Sequence, residues 1–251
     1  MPNSFVRKLI AYAPLGDGDV RLLVEATGSP RRFAAHHDLI CEGDQPRAVF
    51  VVLEGWACRY KILPGGARQI TAFLMPGDFG DIHVGSLEEM DHNIGTLTDC
   101  EVAAIPQGHM DALIVATPDL TRAFWRAQLV DQSVLRSWIV SMGRRDAAQR
   151  VAHLMLEIYI RMRNVGLASA ETCQMPLTQV VIADALGLTP VHINRILRDF
   201  RERSVMELRS GKLTITSIRD LVGVAEFDDG YLHRRIAQPS AGTATGLGAA
   251  G

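Results

Sequence analysis

The segment TQVVIADALGLTPVHINRILRDF, residues 178–200, has the pattern of two short helices joined by a tight turn. Thr178 is a suitable N-cap for the first helix, because its hydroxyl can accept a hydrogen bond from an unpaired backbone N–H. Gly187 is placed to end that helix, since glycine adopts a left-handed backbone at little cost. Thr189 can cap the second helix, and Pro190 follows at its first position, where a missing N–H does no harm. The segment therefore predicts two helices with a turn of defined geometry between them.

The second of these helices has one face suited to burial. Its apolar residues repeat at i, i+3, i+4 and i+7, namely Ile193, Ile196, Leu197 and Phe200. In the first helix, Ala183 is small at the point where the second helix must cross closely. An ordinary helical hairpin is the alternative, but it does not require a small residue, a turn glycine and an apolar residue at these spacings. The combination favours a helix-turn-helix motif.

The opposite face of the second helix carries polar and cationic side chains, which such a motif presents to the major groove of DNA. Arg195 is the strongest candidate for reading a base, because its guanidinium can bond two acceptors on guanine. The other candidates for base contacts are Val191, His192 and Asn194. The candidates for phosphate contacts are Thr178, Thr189, Arg198, Arg201, Arg209 and Lys212. The alternative for the arginines is a solvated face balanced by Asp199 and Glu202.

A β-hairpin is predicted directly after the second helix. Apolar and polar residues alternate over 205–208 and 212–215, on both sides of a Ser210-Gly211 turn. A hairpin in this position corresponds to the wing of a winged helix. Residues 218–222 then predict a short closing helix.

The chain of 251 residues has a net charge of −2, which is unevenly divided. Residues 1–143 contain 12 basic and 17 acidic side chains, whereas residues 144–251 contain 14 and 11. The positive part holds the helix-turn-helix, as binding to a polyanion requires. No apolar run of about eighteen residues and no secretory signal is evident, so we expect a cytoplasmic protein without a membrane span. The four cysteines include no C-x-x-C pair, which disfavours a zinc or iron–sulfur site.

The sequence before residue 118 has a different character. Two helical stretches within residues 5–27 are followed by short apolar runs separated by glycine turns, among them Pro64-Gly65-Gly66. This pattern predicts a sandwich or jelly roll, the double-stranded β-helix architecture. We therefore predict a β-roll domain over residues 1–117 and, for the chain as a whole, an α+β fold.

A long helix is predicted over residues 118–143. Small and apolar residues follow one seam of it, namely Ala123, Ala127, Val130, Val134 and Ser137. Such a seam favours close packing against a second copy of the chain, because a helix-turn-helix protein normally occupies two half-sites. The alternative is a helix that packs only on its own domain. Residues 144–235 follow as the winged helix-turn-helix domain, and residues 236–251, rich in Ala, Gly, Ser and Thr, are expected to be disordered.

The arrangement resembles the Crp/Fnr family of bacterial transcription regulators. Three features carry the resemblance: the turn Pro76-Gly77-Asp78-Phe79-Gly80 after the glycine-punctuated strands, the long helix, and LTQVVIADALGLTPVHINRILRDFRER over residues 177–203. The resemblance implies an N-terminal cyclic-nucleotide-binding-like β-roll that senses a signal, a dimerisation helix and a C-terminal winged helix-turn-helix. It implies a homodimer that binds a palindromic operator in double-stranded DNA, with RNA polymerase as a further expected partner.

The resemblance also places a candidate ligand pocket after the Pro-Gly-Asp turn, at Gly80, Asp81, Ile82, His83 and His92. In nucleotide-binding members this region holds an acid for the ribose, which Asp81 could supply, and then an Arg-Ser pair for the cyclic phosphate. Here residues 88–93 read EEMDHN and contain no arginine, so a phosphate would lie among carboxylates without a compensating cation. We therefore expect no cyclic nucleotide bound in the family's usual way, and the sequence leaves the signal open.

Other cofactors and activities receive little support. Oxygen-sensing members have a cysteine cluster near the N-terminus, whereas the first cysteine here is Cys41, so no iron–sulfur cluster is expected. Structural roles for His83, His92 and His109 are favoured over haem or metal ligation. No G-x-S-x-G, P-loop or H-E-x-x-H motif is present, and an enzyme of the double-stranded β-helix type is supported only by the fold outline. The remaining alternative is a ligand-binding regulatory subunit that acts through protein contacts, without DNA.

One departure lies in the recognition helix itself. Many family members have a base-reading glutamate four positions before the arginine, whereas this chain has Val191. Valine has no atom that accepts a hydrogen bond from cytosine N4. We expect an operator that keeps a guanine for Arg195 and differs beside it.

Overall fold

The structure, a computed structural model, describes residues 2–82 and 84–233. The predicted tail and His83 of the predicted ligand pocket lie outside the described residues. The rest of the chain is of mixed helix and sheet class, with an N-terminal β-rich domain, a long helix and a C-terminal helical domain. This order confirms the predicted fold class.

The N-terminal domain is built from two antiparallel sheets preceded by two helices. The helices are α1 (Ser4–Ile10) and α2 (Asp17–Ala26). The strands are β1 (Arg31–Phe33), β2 (Asp38–Ile40), β3 (Ala48–Glu54), β4 (Ala57–Ile62), β5 (Arg68–Leu74), β6 (Asn93–Thr96) and β7 (Cys100–Pro106). Their order is β1-β7-β3 in one sheet and β2-β6-β4-β5 in the other, so the chain crosses repeatedly between sheets, as a jelly roll requires. Helix α3 (Gln107–Val115) closes the domain.

The turn after β5 fixes α1 against the β-roll. Gly77 has φ +97°, and a Cβ added there would lie 2.6 Å from the carbonyl oxygen of Ser4, so the position requires glycine. Phe79, two residues later, packs its ring 5.6 Å from that of Phe5 and 6.0 Å from that of Phe124, measured between centroids. The turn therefore joins α1, the β-roll and the start of the long helix in one core.

The long helix α4 (Pro118–Arg144) buries the seam that the sequence analysis assigns to dimerisation. Ala123, Ala127, Val130 and Val134 are at most 7% exposed within this single chain. The first two belong to the core of the N-terminal domain and the last two to the core shared with the C-terminal domain. The prediction of a dimer face at these residues is therefore corrected: the small side chains do permit close packing, but against the chain's own domains. Ser137 is half-buried and faces the same side.

The C-terminal domain begins with α5 (Ala147–Asn164) and continues through α6 (Gln179–Leu186), α7 (Pro190–Glu202) and α8 (Ile218–Ala225). A three-stranded antiparallel sheet has the order β8-β10-β9. Its strands are β8 (Thr172–Gln174), β9 (Met206–Arg209) and β10 (Lys212–Ile215). The sequence predicts the hairpin of β9 and β10 but not β8, because three residues carry too short a pattern to mark a strand.

The C-terminal domain packs directly on the β-roll. The ring of Phe73 in β5 lies 5.9 Å from that of Trp138 in α4, so one apolar core continues from one domain to the other. Arg68, also in β5, donates to Asp184 of α6 over 2.8 Å. The first helix of the helix-turn-helix is therefore held against the sensory domain.

Candidate nucleic-acid interface

Local side-chain caps set the geometry of the helix-turn-helix. The Thr178 hydroxyl accepts from the Val181 N–H at 3.3 Å, and the Thr189 hydroxyl accepts from the His192 N–H at 3.2 Å. Between them, Gly187 has φ +63° and ψ +38°, the left-handed conformation that ends α6. The two helices bend by 106° at this turn. This angle lies within the range typical of helix-turn-helix motifs.

The underside of α7 is fixed by burial. Ile193 and Phe200 are fully buried and Ile196 is 7% exposed, while Ala183 of α6 is 3% exposed where the helices meet. Burial of three large apolar side chains stabilises the placement by roughly 5–8 kcal/mol. The other face of α7 is consequently presented at a defined angle.

That outer face is open to solvent. Val191 is 81% exposed, and Asn194, Arg195 and Arg198 are exposed, while His192 is half-buried. The side-chain amide of Asn194 donates to the Gln179 carbonyl oxygen at 3.2 Å, which links α7 to the start of α6. Gln179 is a contact that the sequence analysis missed, because nothing local marks a pairing 15 residues apart.

The arginines on this face differ in their partners. Arg198 lies 3.9 Å from the Glu202 carboxylate, and Arg203 lies 3.1 Å from that of Asp199, both as exposed pairs that contribute little stability. Arg195 has no ion-pair partner among the residues that the structure describes. The guanidinium of Arg195 is therefore available to an external acceptor.

The wing completes a concave surface beside α7. Arg209 and Lys212 are paired across the hairpin and exposed, and the turn between them places Ser210 and Gly211 at positive φ. A depression of about 420 Å³ separates the wing from the two helices and includes Gln179 in its lining. Arg201 is also exposed, near the end of α7. Exposed cationic side chains thus lie on α7 and on the wing, two of the elements that border the depression.

The predicted ligand pocket has a different character. Asp81 lies 3.3 Å from the Arg59 guanidinium and 3.5 Å from the His92 Nε2 atom. Arg59, on β4, is 7% exposed and also donates to Asp131 of α4 at 2.9 Å. Burial by itself lowers the pKa of Arg59, but Asp131 and Asp81 outweigh it and raise that pKa above its ordinary value.. The acid that could have met a ribose is therefore paired with a permanent cation.

Little room remains around that ion pair. The cavities that include Gly80 measure about 10 Å³ each, which is space for about one water molecule. Ile82 is 1% exposed and belongs to the core of the β-roll. His92 Nδ1 lies 2.7 Å from a carboxylate oxygen of Asp91, and the hydrogen bond that His92 donates is the main reason that the pKa of Asp91 is lowered. Arg59 is a site residue that the sequence analysis missed.

Two further observations concern sites of other kinds. Within residues 2–82 and 84–233, no group of three or more His, Cys, Asp or Glu side chains converges as a metal site would. In the same part of the chain, no single helix is long and apolar enough to cross a membrane. The bent helix pair that passes by length and composition is α6 with α7, whose apolar faces are buried in the domain.

Comparison with known proteins agrees with this architecture. The family model for the cyclic nucleotide-binding domain matches residues 30–116, and that for the Crp-like helix-turn-helix domain matches residues 149–223. The chain therefore has the two domains of a DNA-binding transcription regulator with a cyclic-nucleotide-binding-like sensory domain. It belongs to the Crp/Fnr family.

The relatives support this assignment. The nitrogen fixation regulation protein FixK of Bradyrhizobium diazoefficiens is 30% identical over 192 residues, which cover 76% of this chain and 79% of the relative. The transcriptional activatory protein AadR of Rhodopseudomonas palustris is 29% identical over 213 residues, covering 82% and 85%. The structure of FixK2 from Bradyrhizobium japonicum superposes with a TM-score of 0.69 at 22% identity, covering 78% of this chain and 96% of that one. The predicted family, fold and DNA-binding function are thus confirmed.

Proposed function

We propose that this Crp/Fnr regulator binds a palindromic operator as a homodimer, with Arg195 as its principal base-reading residue. The observation that carries the proposal is the Arg195 side chain itself. It is exposed, has no ion-pair partner among the described residues, and stands on a helix whose underside is fully packed. A bidentate contact with guanine O6 and N7 is the interaction that suits such a guanidinium.

The other residues of the interface are assigned to base contacts or to phosphate contacts according to their position. Asn194, held by Gln179, and His192 lie beside Arg195 and are assigned to neighbouring base edges, with Val191 making an apolar contact. The phosphate contacts are assigned to the cap residues and to the exposed cations of α7 and the wing, namely Thr178, Thr189, Arg198, Arg201, Arg209 and Lys212. The threonine hydroxyls accept from backbone N–H groups in the caps, so their own protons remain for a phosphate oxygen.

The dimer contact is assigned to the face of α4 opposite its buried seam. Leu135, Ile139 and Met142 are spaced at i, i+4 and i+7, and Ile139 is 71% exposed. Ile139 follows the buried Val130 by nine residues, which is half a turn beyond two full turns of an α-helix. An exposed apolar stripe along a helix of 27 residues fits a parallel pair of helices, which would bring two recognition helices to successive major grooves about 34 Å apart.

The biological setting follows from the DNA target. A regulator of bacterial operators acts in the cytoplasm, and relatives named as transcriptional activators, such as FnrL of Cereibacter sphaeroides, favour recruitment of RNA polymerase. A signal molecule that binds the N-terminal domain can change operator affinity only if it binds one arrangement of the domains more tightly than another. Arg68 of the sensory domain bonds Asp184 of α6, so this contact would respond directly to such a rearrangement.

Binding-site selection from random duplex DNA tests the proposal. The expected product is an inverted repeat whose half-sites contain a guanine and are centred about one helical turn, or a multiple of it, apart. The expected affinity falls steeply with salt, because several phosphates are neutralised. Selection of single half-sites, or no enrichment by a folded protein, would contradict the homodimeric assignment.

A further inference from the structure

A cavity of about 270 Å³ lies where the three parts of the molecule meet. Its lining comes from the segment after α1, the turn after β5, the middle of α4, the end of α5 and Leu232. None of the described residues of the predicted ligand pocket at Asp81 lines this cavity. The cavity adjoins that region, because Lys8, Asp78, Ala127 and Asp131 also line the small cavity at Gly80, but its remaining lining lies toward α5.

One wall of the cavity is apolar. Val130 and Val134 of α4, Met162 of α5 and Val165 just after α5 line this wall, and all four side chains are at most 7% exposed. Val130, Val134 and Met162 belong to the core that joins the long helix with the C-terminal domain. An apolar group seated here would contact both elements at once.

The opposite wall is polar and balanced in charge. The Lys8 ammonium and the Arg161 guanidinium both bond Asp78, at 2.5 Å and 2.7 Å. Asp131 is paired with Arg59 at 2.9 Å. Each charge at this wall already has an opposite charge, so an ionic ligand would arrive without a partner, and burying an unpaired charge is costly.

Tyr12 supplies the unused hydrogen-bonding group. Its side chain lines the cavity, and its hydroxyl has no hydrogen-bond partner among the described residues. Burial is the main reason that the pKa of Tyr12 is raised, so the phenol keeps its proton and is a donor at neutral pH. Tyr12 is half-buried, and its hydroxyl can donate to an oxygen atom of a molecule seated in the cavity.

We propose that this cavity binds a neutral small molecule of about ten non-hydrogen atoms, with an apolar body against α4 and α5 and a carbonyl or hydroxyl oxygen that accepts from Tyr12. The size follows from the volume, since an apolar protein cavity of about 150 Å³ holds a benzene. Neutrality follows from the matched charges, and the oxygen atom is assigned to the Tyr12 hydroxyl because that donor has no partner among the described residues.

Such a ligand would touch the sensory domain, the long helix and the C-terminal domain together. Any rearrangement between these parts would change the cavity, so the ligand would favour the arrangement in which its contacts are complete. This regulatory consequence rests on the proposed DNA-binding function, whereas binding to the cavity does not. Binding and regulation are therefore tested by separate measurements.

Binding is tested on the full-length protein with three probes of similar size and shape: acetophenone, which is neutral, benzoate, and the 1-phenylethylammonium ion. Saturation-transfer NMR and calorimetry report their affinities in the absence of DNA. The expected order places acetophenone about tenfold or more ahead of both ions, because neither ion finds a counter-charge. Equal affinity of the three probes, or no binding of acetophenone up to its solubility, would overturn the proposal.

Two substitutions locate the site. Tyr12→Phe removes only the hydroxyl and is expected to weaken acetophenone binding about three- to tenfold, as loss of one hydrogen bond does. Tyr60→Phe is the matched control, since the Tyr60 hydroxyl bonds Asp38 and lies outside the cavity. Val165→Phe fills the cavity and is expected to abolish binding, with near-UV circular dichroism reporting its fold. Acetophenone binding unchanged in Tyr12→Phe would place the ligand elsewhere, and this result does not depend on the bulkier variant.

The effect on operator affinity is measured last, with wild-type protein and acetophenone. A change in operator affinity that Tyr12→Phe reduces supports coupling between the cavity and DNA binding. Probe binding without such a change keeps the site and removes its regulatory role. Loss of all operator binding with intact probe binding would contradict the proposed function alone.

Discussion

His153 predicts a specific loss of stability in mild acid. Its side chain, on α5, is 2% exposed, and its ring lies 4.8 Å from that of Phe227 and 5.7 Å from that of Tyr231, with which it is nearly parallel. Burial, with a smaller contribution from Arg145, lowers the pKa of His153 from 6.5 to about 4. The folded protein therefore holds this imidazole neutral across a range in which the unfolded chain protonates it.

The sign and size of this change in unfolding free energy follow from the linkage between protonation and folding. A depressed pKa in the folded state means that the full contribution of His153 is present above pH 6.5 and is lost as the pH falls to about 4. A difference of about 2.5 pKa units corresponds to about 3 kcal/mol of unfolding free energy. That amount is a large fraction of the stability of a typical domain.

Urea unfolding at pH 7.5 and pH 4, followed by circular dichroism, measures the loss. His153→Asn removes the titrating group. The loss of unfolding free energy from pH 7.5 to pH 4 is therefore expected to be about 3 kcal/mol smaller in this variant than in the wild type. The buried Glu157 acts in the opposite direction, since its burial raises its pKa, but it is common to both proteins. Equal pH dependence in the two proteins would refute the assignment of a buried neutral His153.

Three further substitutions test the dimer face, the recognition helix and the β-roll turn. Ile139→Glu is expected to yield a monomer in analytical ultracentrifugation, because it buries a charge in the proposed contact, whereas Val115→Glu, at an equally exposed position on α3, stays dimeric. Gln179→Ala removes the partner of Asn194 and is expected to weaken operator binding by about 1 kcal/mol in fluorescence anisotropy, with relaxed choice at a single base pair. Gly77→Ala forces a Cβ against a carbonyl oxygen at positive φ and is expected to lower the unfolding free energy by about 2–4 kcal/mol in urea.

Local patterns predicted the helix-turn-helix well, because its geometry is set by residues close in sequence. The caps at Thr178 and Thr189, the left-handed Gly187 and the buried Ile193 and Phe200 all lie within one segment of 23 residues. Each of them acts through contacts at spacings of three or four residues or through its own backbone conformation. The pattern of such a motif is therefore visible without knowledge of the rest of the fold.

The faces of α4 show where this reasoning fails. Periodicity identifies Ala127, Val130 and Val134 as one stripe and Ile139 as part of another, but it does not say which stripe meets another copy of the chain. The answer depends on α5 and the β-roll, which fold back onto the small-residue stripe. The choice between an internal and an external interface is thus a tertiary property.

Arg59 was missed for a related reason. It is one of two cations in the short strand β4, and its partner Asp131 is 72 residues away in the sequence. The sequence shows that residues 88–93 lack the expected arginine, but not that another strand places an arginine beside Asp81. Pairings across sheets and domains require the fold.

Arg195 is proposed to read a base, which is more than attraction to phosphate. Its most direct test is the affinity of Arg195→Ala for the selected operator and for random duplex, with Arg203→Ala as the matched control. Arg195→Ala is expected to lose about 1–3 kcal/mol of affinity for the operator, with little change on random DNA and relaxed choice at a single base pair of each half-site. An equal loss on both duplexes, or a selected site unchanged by the substitution, would contradict it.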